Sequence, residues 1–528
     1  MRIKRRDLTY WLLFILVVGP TGRALLAQPA TTPTPTPPDL PLIEAVRSTL
    51  ANHTLLQQQQ QQININRGFR QQVSGQFDML LGAGVSRSRT NDPLSLLLQQ
   101  QALVAGVQTS NLLTNLSTYG LSGGKIWRNG ASVSAVLGVT RDLDNLTNLG
   151  GVSSSHFSLA LEVPLLRGRG HSAVAAQEDA AAFEVRASLL DLNHLVAQLM
   201  ANTATSYWNL VAARKILTIA QDAEQRGNAY VDNVQAFIDA DRVPRSDIHE
   251  VTANLAGRTA TRIAAEHQVV AASQQLALDM GLFPEQMSSV TGTLDSFPAA
   301  ENQLPPSSKS ATLQEYLEES SQRRADFLAA RTRQMEARRL LAGAKNQMLP
   351  ALSFTVTTGY NGLQEGRVLS ELFRAPVSGV QGINAGIGLN YSFPTGNNAA
   401  RGQLLQSSAA VRQSELRTTG LAQGIHASVA VAADAVWSAI DQARKARESV
   451  ALFQSALAAE REKYRLGIGS IVDVLTVEDR LTSALQGQVQ AELAYALALT
   501  QLRLATGTLV EPDKPVQTVE GSVFFRLP

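Results

Sequence analysis

Apolar and polar residues alternate strictly in several short segments of the chain. In residues 157–165 and 383–393 the odd-numbered positions are apolar. In the shorter segment 352–356 the even-numbered positions are apolar. Strict period two predicts β-strands with one apolar and one polar face. Lengths of about ten residues suit strands that cross a bilayer obliquely. A soluble β-sandwich would give the same alternation, so the pattern alone leaves both possibilities open.

Two very long segments without proline predict helices. Residues 172–237 and 402–466 are rich in alanine and contain few turn-forming residues. About 65 residues with a rise of ~1.5 Å each correspond to about 100 Å. A short break follows each segment, and a predicted return helix of about 37 residues then ends at a glycine, Gly281 or Gly507.

The chain is a tandem repeat of this plan. Trp208 and Trp437 occupy corresponding places, and identical residues recur at a constant offset of 226 in the return helices. The pairs are Asp247/Asp473, Val251/Val477, Leu255/Leu481, Ala265/Ala491, Glu266/Glu492, Leu276/Leu502, Leu278/Leu504 and Gly281/Gly507. A period this long indicates duplication of a whole architectural unit rather than a solenoid.

The repeat sets the expected domain boundaries. A helix of about 37 residues is predicted to open each unit, at 39–75 and at 311–347. The first unit is longer than the second between about 82 and 157. We expect a first repeat at 42–281, an inter-repeat linker at 282–310, a second repeat at 311–507 and a C-terminal tail at 508–528.

The N-terminus has the features of an export signal. A basic cluster that includes Arg5 and Arg6 precedes an apolar run at 11–18, and small residues follow up to Ala27. We therefore expect a signal peptide at 1–27, with a retained N-terminal anchor as the alternative. The Pro/Thr-rich segment at 28–41 is expected to be an extended linker.

Composition excludes several classes of chemistry. The chain contains no cysteine, which rules out thiol catalysis and thiolate metal sites. Its net charge of +2 becomes −2 when the five basic residues and one acidic residue of the leader are removed, so no nucleic-acid partner is expected. The seven histidines include no pair spaced i, i+4, and no phosphate- or dinucleotide-binding loop is present. We expect no enzyme activity, no cofactor and no metal site.

The predicted helix lengths suggest how each unit packs. Its two shorter helices, placed end to end, are about as long as its single long helix, so they can lie alongside it. Such units side by side would build a hollow cylinder with the strands at one end. Four strands or so per chain cannot enclose a pore, whereas three chains would supply about twelve. Closure is needed because open sheet edges are not tolerated in lipid.

The segment at 464–475, Tyr-Arg-Leu-Gly-Ile-Gly-Ser-Ile-Val-Asp-Val-Leu, lies at the predicted turn before a return helix. With the export leader and the duplicated plan, it resembles the TolC-type outer-membrane efflux proteins (outer membrane factors) over nearly the whole mature chain. The resemblance implies a mainly α fold with a β-barrel portion. In that family a homotrimer joins a periplasmic α-barrel of long antiparallel helices to a twelve-stranded outer-membrane β-barrel, with four strands from each chain.

The resemblance also implies partners and roles for tip residues. A periplasmic adaptor (membrane fusion) protein and an inner-membrane efflux pump or ABC transporter are the expected partners, with outer-membrane lipid around the barrel. Asp473 matches an aspartate that lines the periplasmic constriction, Tyr464 matches a tyrosine of the closed gate, and Ser246 and Asp247 match their partner positions. The expected adaptor-docking residues are Asp241, Arg242, Leu466, Gly467, Ile468, Gly469 and Ser470.

The chain departs from the family pattern at both tips. Thr476 stands where a second acidic residue is expected, and Gly469 stands where the gate network has an arginine. Asp247 and Asp473 also have a simpler interpretation, because an acidic residue at a helix N-terminus interacts favourably with the helix dipole. Tyr464 also has a simpler interpretation, as an aromatic residue packed between helices.

These features favour a passive channel-tunnel of a tripartite efflux or type I secretion system, located in the outer membrane and reaching into the periplasm. The alternative is an exported coiled-coil stalk or adhesin without a channel. Strands with a lipid-facing side distinguish the two, because a stalk does not need them. The cargo stays open between drugs, metals and polypeptides.

Overall fold

The computed structural model of the chain describes residues 40–104, 106–146, 148, 150–241, 243–283, 295–300, 309–366, 380–510 and 521–528. The predicted signal peptide and the tip residue Arg242 lie outside the described residues. Most of the two predicted linkers and about half of the predicted C-terminal tail also lie outside them.

Long helices dominate the fold. The first half of the chain contains α1 (Leu42–Asn52), α2 (Thr54–Ser74), α3 (Leu96–Val104), α4 (His171–Val174), α5 (Ala176–Asp239) and α6 (Asp247–Asp279). The second half contains α7 (Lys309–Arg323), α8 (Ala325–Gln347), α9 (Asn398–Arg465) and α10 (Ile471–Thr506). The 64 residues of α5 and the 68 of α9 correspond to about 100 Å each, which confirms the predicted long helices. Within the described ranges, no helix has a stretch long and apolar enough to cross a membrane.

Each half opens with two helices where the sequence predicts one. His53 separates α1 from α2 and Arg324 separates α7 from α8, both in an extended conformation with ψ of 121° and 112°. The return helices α6 and α10 end beside these breaks. A Cβ on Gly281 would lie 2.9 Å from the Cα of His53, and one on Gly507 would lie 3.1 Å from the backbone of Arg324. Glycine permits this close approach of two backbones.

The short helices lie alongside the long ones, as their lengths predict. Both α2 and α6 pack against α5, and both α8 and α10 pack against α9, while α5 also contacts α8 and α10. Buried apolar clusters form around Trp208 and around Trp437, the pair that the repeat places in correspondence. A further cluster, near the ends of the long helices, includes Val234 and Val474. Many of the buried residues are alanines, which allow the helix axes to approach closely.

Six strands form one antiparallel sheet in chain order within the described residues. They are β1 (Leu80–Pro93), β2 (Asn111–Ile126), β3 (Ser132–Asp144), β4 (Val152–Pro164), β5 (Ala351–Glu365) and β6 (Val380–Ser392). The predicted number of four strands per chain is therefore wrong. The first half supplies four and the second half two, because the longer segment of the first half folds into the additional hairpin β2–β3.

The strand register gives the sheet one apolar and one polar face. Leu121, Leu137, Phe157, Tyr360 and Ile383 are directly opposite one another across β2 to β6. Alternation puts further apolar residues on the same face, namely Leu81, Ala83, Val85, Tyr119, Val133, Ala135, Val139, Leu159, Leu161, Val163, Phe354, Val356, Ala385, Ile387, Leu389 and Tyr391. The other face carries mostly glycine, serine, threonine and asparagine. This is the alternation of a membrane barrel wall.

An acidic cluster lies between α5 and α8. Arg333 on α8 forms ion pairs with Glu184 and Asp191 on α5. Glu336, one turn further along α8, is half-buried and hydrogen-bonded to Glu184, and burial together with the Glu184 carboxylate raises its pKa to about 7. Glu336 is therefore largely protonated in the folded chain under mildly acidic conditions.

The stability of the folded chain is expected to fall as the pH rises from about 4.5 to about 7. Over this range the folded chain keeps Glu336 protonated, whereas the unfolded chain releases the proton. Glu336→Gln should flatten this dependence, since the amide stays neutral. Thermal unfolding midpoints in detergent at about pH 5 and about pH 8 would measure the effect. Glu318→Gln, on an exposed part of α7, is the control. A wild-type pH dependence that Glu336→Gln leaves intact would contradict the assignment.

Candidate functional site

The candidate site is the end of the molecule where each long helix turns back into its return helix. In the second half, α9 ends in a Schellman motif. The N–H of Gly467 donates to the carbonyl of Tyr464 and the N–H of Ile468 donates to that of Lys463, both at 3.0 Å. Gly467 has a φ of 77°, which a residue with a side chain rarely adopts. The turn leaves Leu466 and Ile468 62% and 74% exposed.

The first half reproduces this turn with a different residue. Asp241 follows α5 and has a φ of 53°, and its N–H donates to the carbonyl of Ile238 at 2.9 Å. It lies 226 positions before Gly467, the same offset that relates the return helices. Asp and Asn tolerate the left-handed region better than most residues. The two tips therefore share a left-handed residue at corresponding positions, although only one of them has glycine there.

Asp473 begins the return helix α10 as part of a capping box. Its carboxylate accepts hydrogen bonds from the Ser470 hydroxyl at 2.7 Å and from the Ser470 N–H at 3.2 Å. The Ser470 hydroxyl in turn accepts from the Asp473 N–H at 3.2 Å. These bonds favour the ionised form and lower the pKa of Asp473. The side chain is exposed, so the charge is both fixed in place and accessible.

Asp247 holds the corresponding position at the start of α6. It is half-buried and receives a hydrogen bond from the Ser246 hydroxyl at 3.3 Å, but Ser246 does not cap the helix with its side chain. Burial, and next the carboxylate of Asp247, raise the pKa of Tyr464. The fold therefore brings Tyr464 of the second tip close to Asp247 of the first.

Tyr464 is held by packing. Its ring lies edge-on to Phe237 on α5, with 6.0 Å between ring centroids. Its hydroxyl is buried and has no hydrogen-bond partner among the described residues. The gate hydrogen bonds that the resemblance implies for Tyr464 stay a prediction.

A buried ionic cluster that sequence reasoning missed joins the two halves behind the tips. Glu478 on α10, whose side chain is fully buried, pairs with Arg226 on α5 and, at 3.0 Å, with Arg461 on α9. Tyr230 on α5 donates to the same carboxylate at 3.2 Å and accepts from Arg461 at 2.9 Å. We call these four residues the Glu478 cluster. Burial and the Glu478 carboxylate raise the pKa of Tyr230.

A second link lies next to the Glu478 cluster. Arg258 on α6 is buried and donates to Asp479 on α10 at 2.9 Å and to the Ala223 carbonyl on α5 at 2.9 Å. Asn254 donates to the other Asp479 oxygen at 3.1 Å. A Cβ at Gly227 would lie 3.2 Å from the side chain of Arg258, so glycine makes room for the guanidinium. Together the two links tie α5 and α6 to α10.

The signal for Glu478 was present in the sequence. Glu478 lies on the same side of α10 as Val474, Leu481 and Leu485, at helical spacings of three and four. A lone acidic residue within an apolar stripe indicates a buried charge that needs a partner. Its partners lie on other helices, which only the fold brings together. Within the described residues, no group of acidic and histidine side chains is arranged to hold a metal ion.

Comparison with known proteins gives consistent matches. Residues 316–508 match the family model of the outer membrane efflux protein. The outer membrane protein TolC of Escherichia coli strain K12 is 24% identical over 366 residues, which cover 65% of this chain and 71% of that protein. The CmeC outer membrane channel of Campylobacter jejuni has a TM-score of 0.62 at 14% identity, covering 90% of this chain and 87% of that one. For the outer membrane protein VceC of Vibrio cholerae the TM-score is 0.61 at 17% identity, with coverages of 88% and 96%.

Proposed function

This chain is a TolC-type outer-membrane efflux protein, and we propose that three copies of it assemble into one tunnel from the periplasm to the cell exterior. The protein is an outer-membrane efflux channel that extends into the periplasm, and it is not an enzyme. It conducts its substrates passively, and an inner-membrane partner supplies the energy. We propose that each copy is built from two structural repeats, residues 42–281 and 311–507.

One observation carries the tunnel proposal. A sheet with an apolar face stands at one end of helices about 100 Å long, and the hairpin tips lie at the other. Such a sheet is suited to lipid, and such helices are suited to crossing the periplasm. A coiled-coil stalk would need the helices but not the apolar sheet face, so the sheet argues against that alternative.

The six-stranded sheet supports a homotrimer. Among the residues that the structure describes, its edge strands β1 and β6 each pair on one side only, and lipid does not tolerate the unpaired backbone groups of an open edge. Native mass measurement in detergent is expected to give three chains, and the same sample should conduct ions across a planar bilayer. A stable monomer that forms conducting channels would contradict the proposal.

The exposed tips are proposed to bind a periplasmic adaptor, which connects the tunnel to an inner-membrane efflux pump or ABC transporter. Leu466 and Ile468 support this, because two large apolar side chains exposed side by side on a tight turn suit a protein contact. The first tip, around Asp241, is proposed as the matching half of the docking surface. Arg242 belongs to it by sequence position.

The periplasmic constriction is proposed to carry a ring of Asp473, one from each chain, with Asp247 nearby. Fixed carboxylates around a narrow opening attract cations and repel anions. Ser470 keeps each Asp473 ionised and oriented, while Ser246 donates to Asp247 and Tyr464 lies close to it. The absence of an acidic residue at Thr476 leaves a single ring in the second half.

Asp473→Asn is expected to weaken cation selectivity in a planar bilayer and to reduce block by multivalent cations. The amide can still accept the Ser470 hydrogen bond, so the helix cap should survive. Reversal potentials in a salt gradient would measure the change. The control is Asp479→Asn, which removes a charge one and a half turns further along the same helix, where Arg258 already neutralises it. Equal selectivity of the Asp473→Asn variant and the wild type would leave only the capping role.

A further inference from the structure

We propose that the additional hairpin β2–β3 is part of the outer-membrane wall, so that the trimeric barrel has eighteen strands. The proposal rests on the homotrimer proposed above. Six strands in each chain and three copies give eighteen, against the twelve expected from the sequence.

The hairpin has the side-chain pattern of a wall and not of a plug. Leu121 and Leu137, directly opposite each other on β2 and β3, continue the row formed by Phe157 on β4. On the other face, Thr118 lies opposite Thr140, which lies opposite Ser154. A hairpin folded into the lumen would be polar on both faces. From Val133 to Val139 the odd-numbered residues of β3 are apolar and share the face of Leu137, and β2 adds Tyr119 and Leu121 to that face. The remaining residues of β2 on that face are mostly polar. An apolar face in register with the neighbouring strands is the pattern of a strand between lipid and water.

The turn of the hairpin is fixed at the level where strands meet helices. Arg128 forms two hydrogen bonds with Glu178 on α5, at 2.7 and 2.6 Å, and its guanidinium lies 4.7 Å from the centre of the Phe77 ring. The N–H of Gly170, just before α4, donates to the carbonyl of Asn129 at 2.9 Å. These contacts anchor the turn of the hairpin to the start of the helical region.

Two further residues support a membrane position. Trp127 begins the turn and is 41% exposed, at the inner end of the apolar face, where membrane barrels carry interfacial aromatic residues. Gly130 at the same turn has a φ of 94°, and a Cβ there would lie 2.0 Å from the carbonyl of Gly168. The contact between the turn and the base of β4 thus requires glycine. The turn is built to lie against this part of the chain.

The sheet edges then fit a second copy of the same chain. Within the described residues, β1 pairs with β2 alone and β6 with β5 alone. β1 and β6 run in opposite directions, since five antiparallel steps separate them, so β6 of one chain can pair antiparallel with β1 of the next. Both edges carry apolar residues on the same face, with Val85 76% and Ile387 81% exposed. The apolar belt is therefore continuous around a closed ring.

Barrel diameter grows roughly linearly with strand number, so a barrel of eighteen strands is about 1.5 times as wide as one of twelve. The exit through the membrane then admits bulkier cargo than a twelve-stranded barrel.

The absence of cysteine makes single cysteine variants unambiguous. In outer-membrane vesicles, a charged water-soluble maleimide should label Thr118→Cys and Thr140→Cys at least about tenfold faster than Leu121→Cys and Leu137→Cys. A lipid-soluble maleimide should reverse this order. Ser154→Cys and Phe157→Cys on β4 provide the matched reference for a wall strand. Electron cryomicroscopy of the trimer should show eighteen strands in cross-section.

The outcomes separate the two proposals. Rapid labelling of Leu121→Cys and Leu137→Cys by the water-soluble reagent, with normal alternation on β4, would overturn the wall hairpin and leave the tunnel standing. If the labelling rates on β4 also fail to alternate, or if native mass measurement gives a monomer, the tunnel proposal itself would be overturned. A trimer whose cross-section shows twelve strands would also overturn the wall hairpin.

Discussion

Replacing Glu478 with alanine is expected to raise the open probability of the channel about tenfold, equivalent to about 1.4 kcal/mol. The substitution leaves Arg226 and Arg461 facing each other without the carboxylate that both now contact. Their mutual repulsion would separate α5 from α9 and loosen the contact between the two halves near the tips. Both cations are partly exposed, so the cost is below the 3–5 kcal/mol of a fully buried broken pair. Single-channel recording in a planar bilayer would measure the change.

Two controls separate gating from general instability. Glu462→Ala removes a carboxylate near the same tip, but its pair with Arg465 is exposed and one turn apart on a single helix, so little change is expected. Tyr230→Phe removes one hydrogen bond to Glu478 and should produce a smaller increase, whereas Tyr464→Phe removes none that the described residues show. An open probability of Glu478→Ala equal to that of Glu462→Ala would contradict the expected role of the cluster in keeping the two halves together near the tips.

Leu466→Asp combined with Ile468→Asp is expected to abolish transport while the trimer still assembles. The two side chains are exposed at the turn, so their replacement removes little packing from the chain itself. A charged tip would lose the apolar contact proposed for the adaptor and would have to desolvate two carboxylates on docking. Efflux of a dye or drug by cells that carry the cognate pump would measure transport, and native mass measurement would verify the trimer.

The matched control keeps the tip apolar through Leu466→Met and Ile468→Leu, for which near-normal transport is expected. The test avoids Gly467, because any side chain there is strained at a φ of 77° and would distort the turn itself. Full transport by the double aspartate variant would exclude this turn from the docking surface. Loss of transport together with loss of the trimer would mean that these residues serve assembly instead.

The helical part of the fold was predictable because its signals are long and local. Proline-free segments and the 226-residue offset predicted α5, α9 and their return helices, and the terminal glycines Gly281 and Gly507 occupy the predicted ends. The breaks at His53 and Arg324 were not predicted, since neither residue is a helix breaker. They arise where the end of a return helix meets the opening helices, a tertiary contact that local sequence does not encode.

Strands β1 and β2 were not predicted, for a different reason. In β1, Gly82 and Gly84 follow two leucines, and in β2 Leu112 and Leu113 are adjacent, so period two is interrupted at both strands. Glycine and serine on the polar face and alanine on the apolar face further reduce the contrast between alternate positions. Register with β4 is what reveals the faces of these strands.

The candidate site was predictable only in part. The turn at Gly467 and the acidic helix starts at Asp247 and Asp473 follow from local chemistry. The structure places Gly467 just after α9, Asp247 at the first residue of α6 and Asp473 in the capping box of α10. The Glu478 cluster joins residues about 250 positions apart in sequence, since Arg226 and Glu478 meet only after both halves fold. A single chain also cannot reveal which side chains face a threefold axis, so the constriction stays a proposal.

The unequal strand content of the two halves sets different symmetries at the two ends of the proposed trimer. Each chain contributes two similar helical hairpins, whose tips share a left-handed turn at Asp241 and at Gly467. Three chains therefore present six nearly equivalent tips, an approximately sixfold pattern. The wall repeats only three times, because four strands come from one half and two from the other. A blocking molecule designed against the periplasmic end can use sixfold symmetry, whereas one designed against the exit must be threefold.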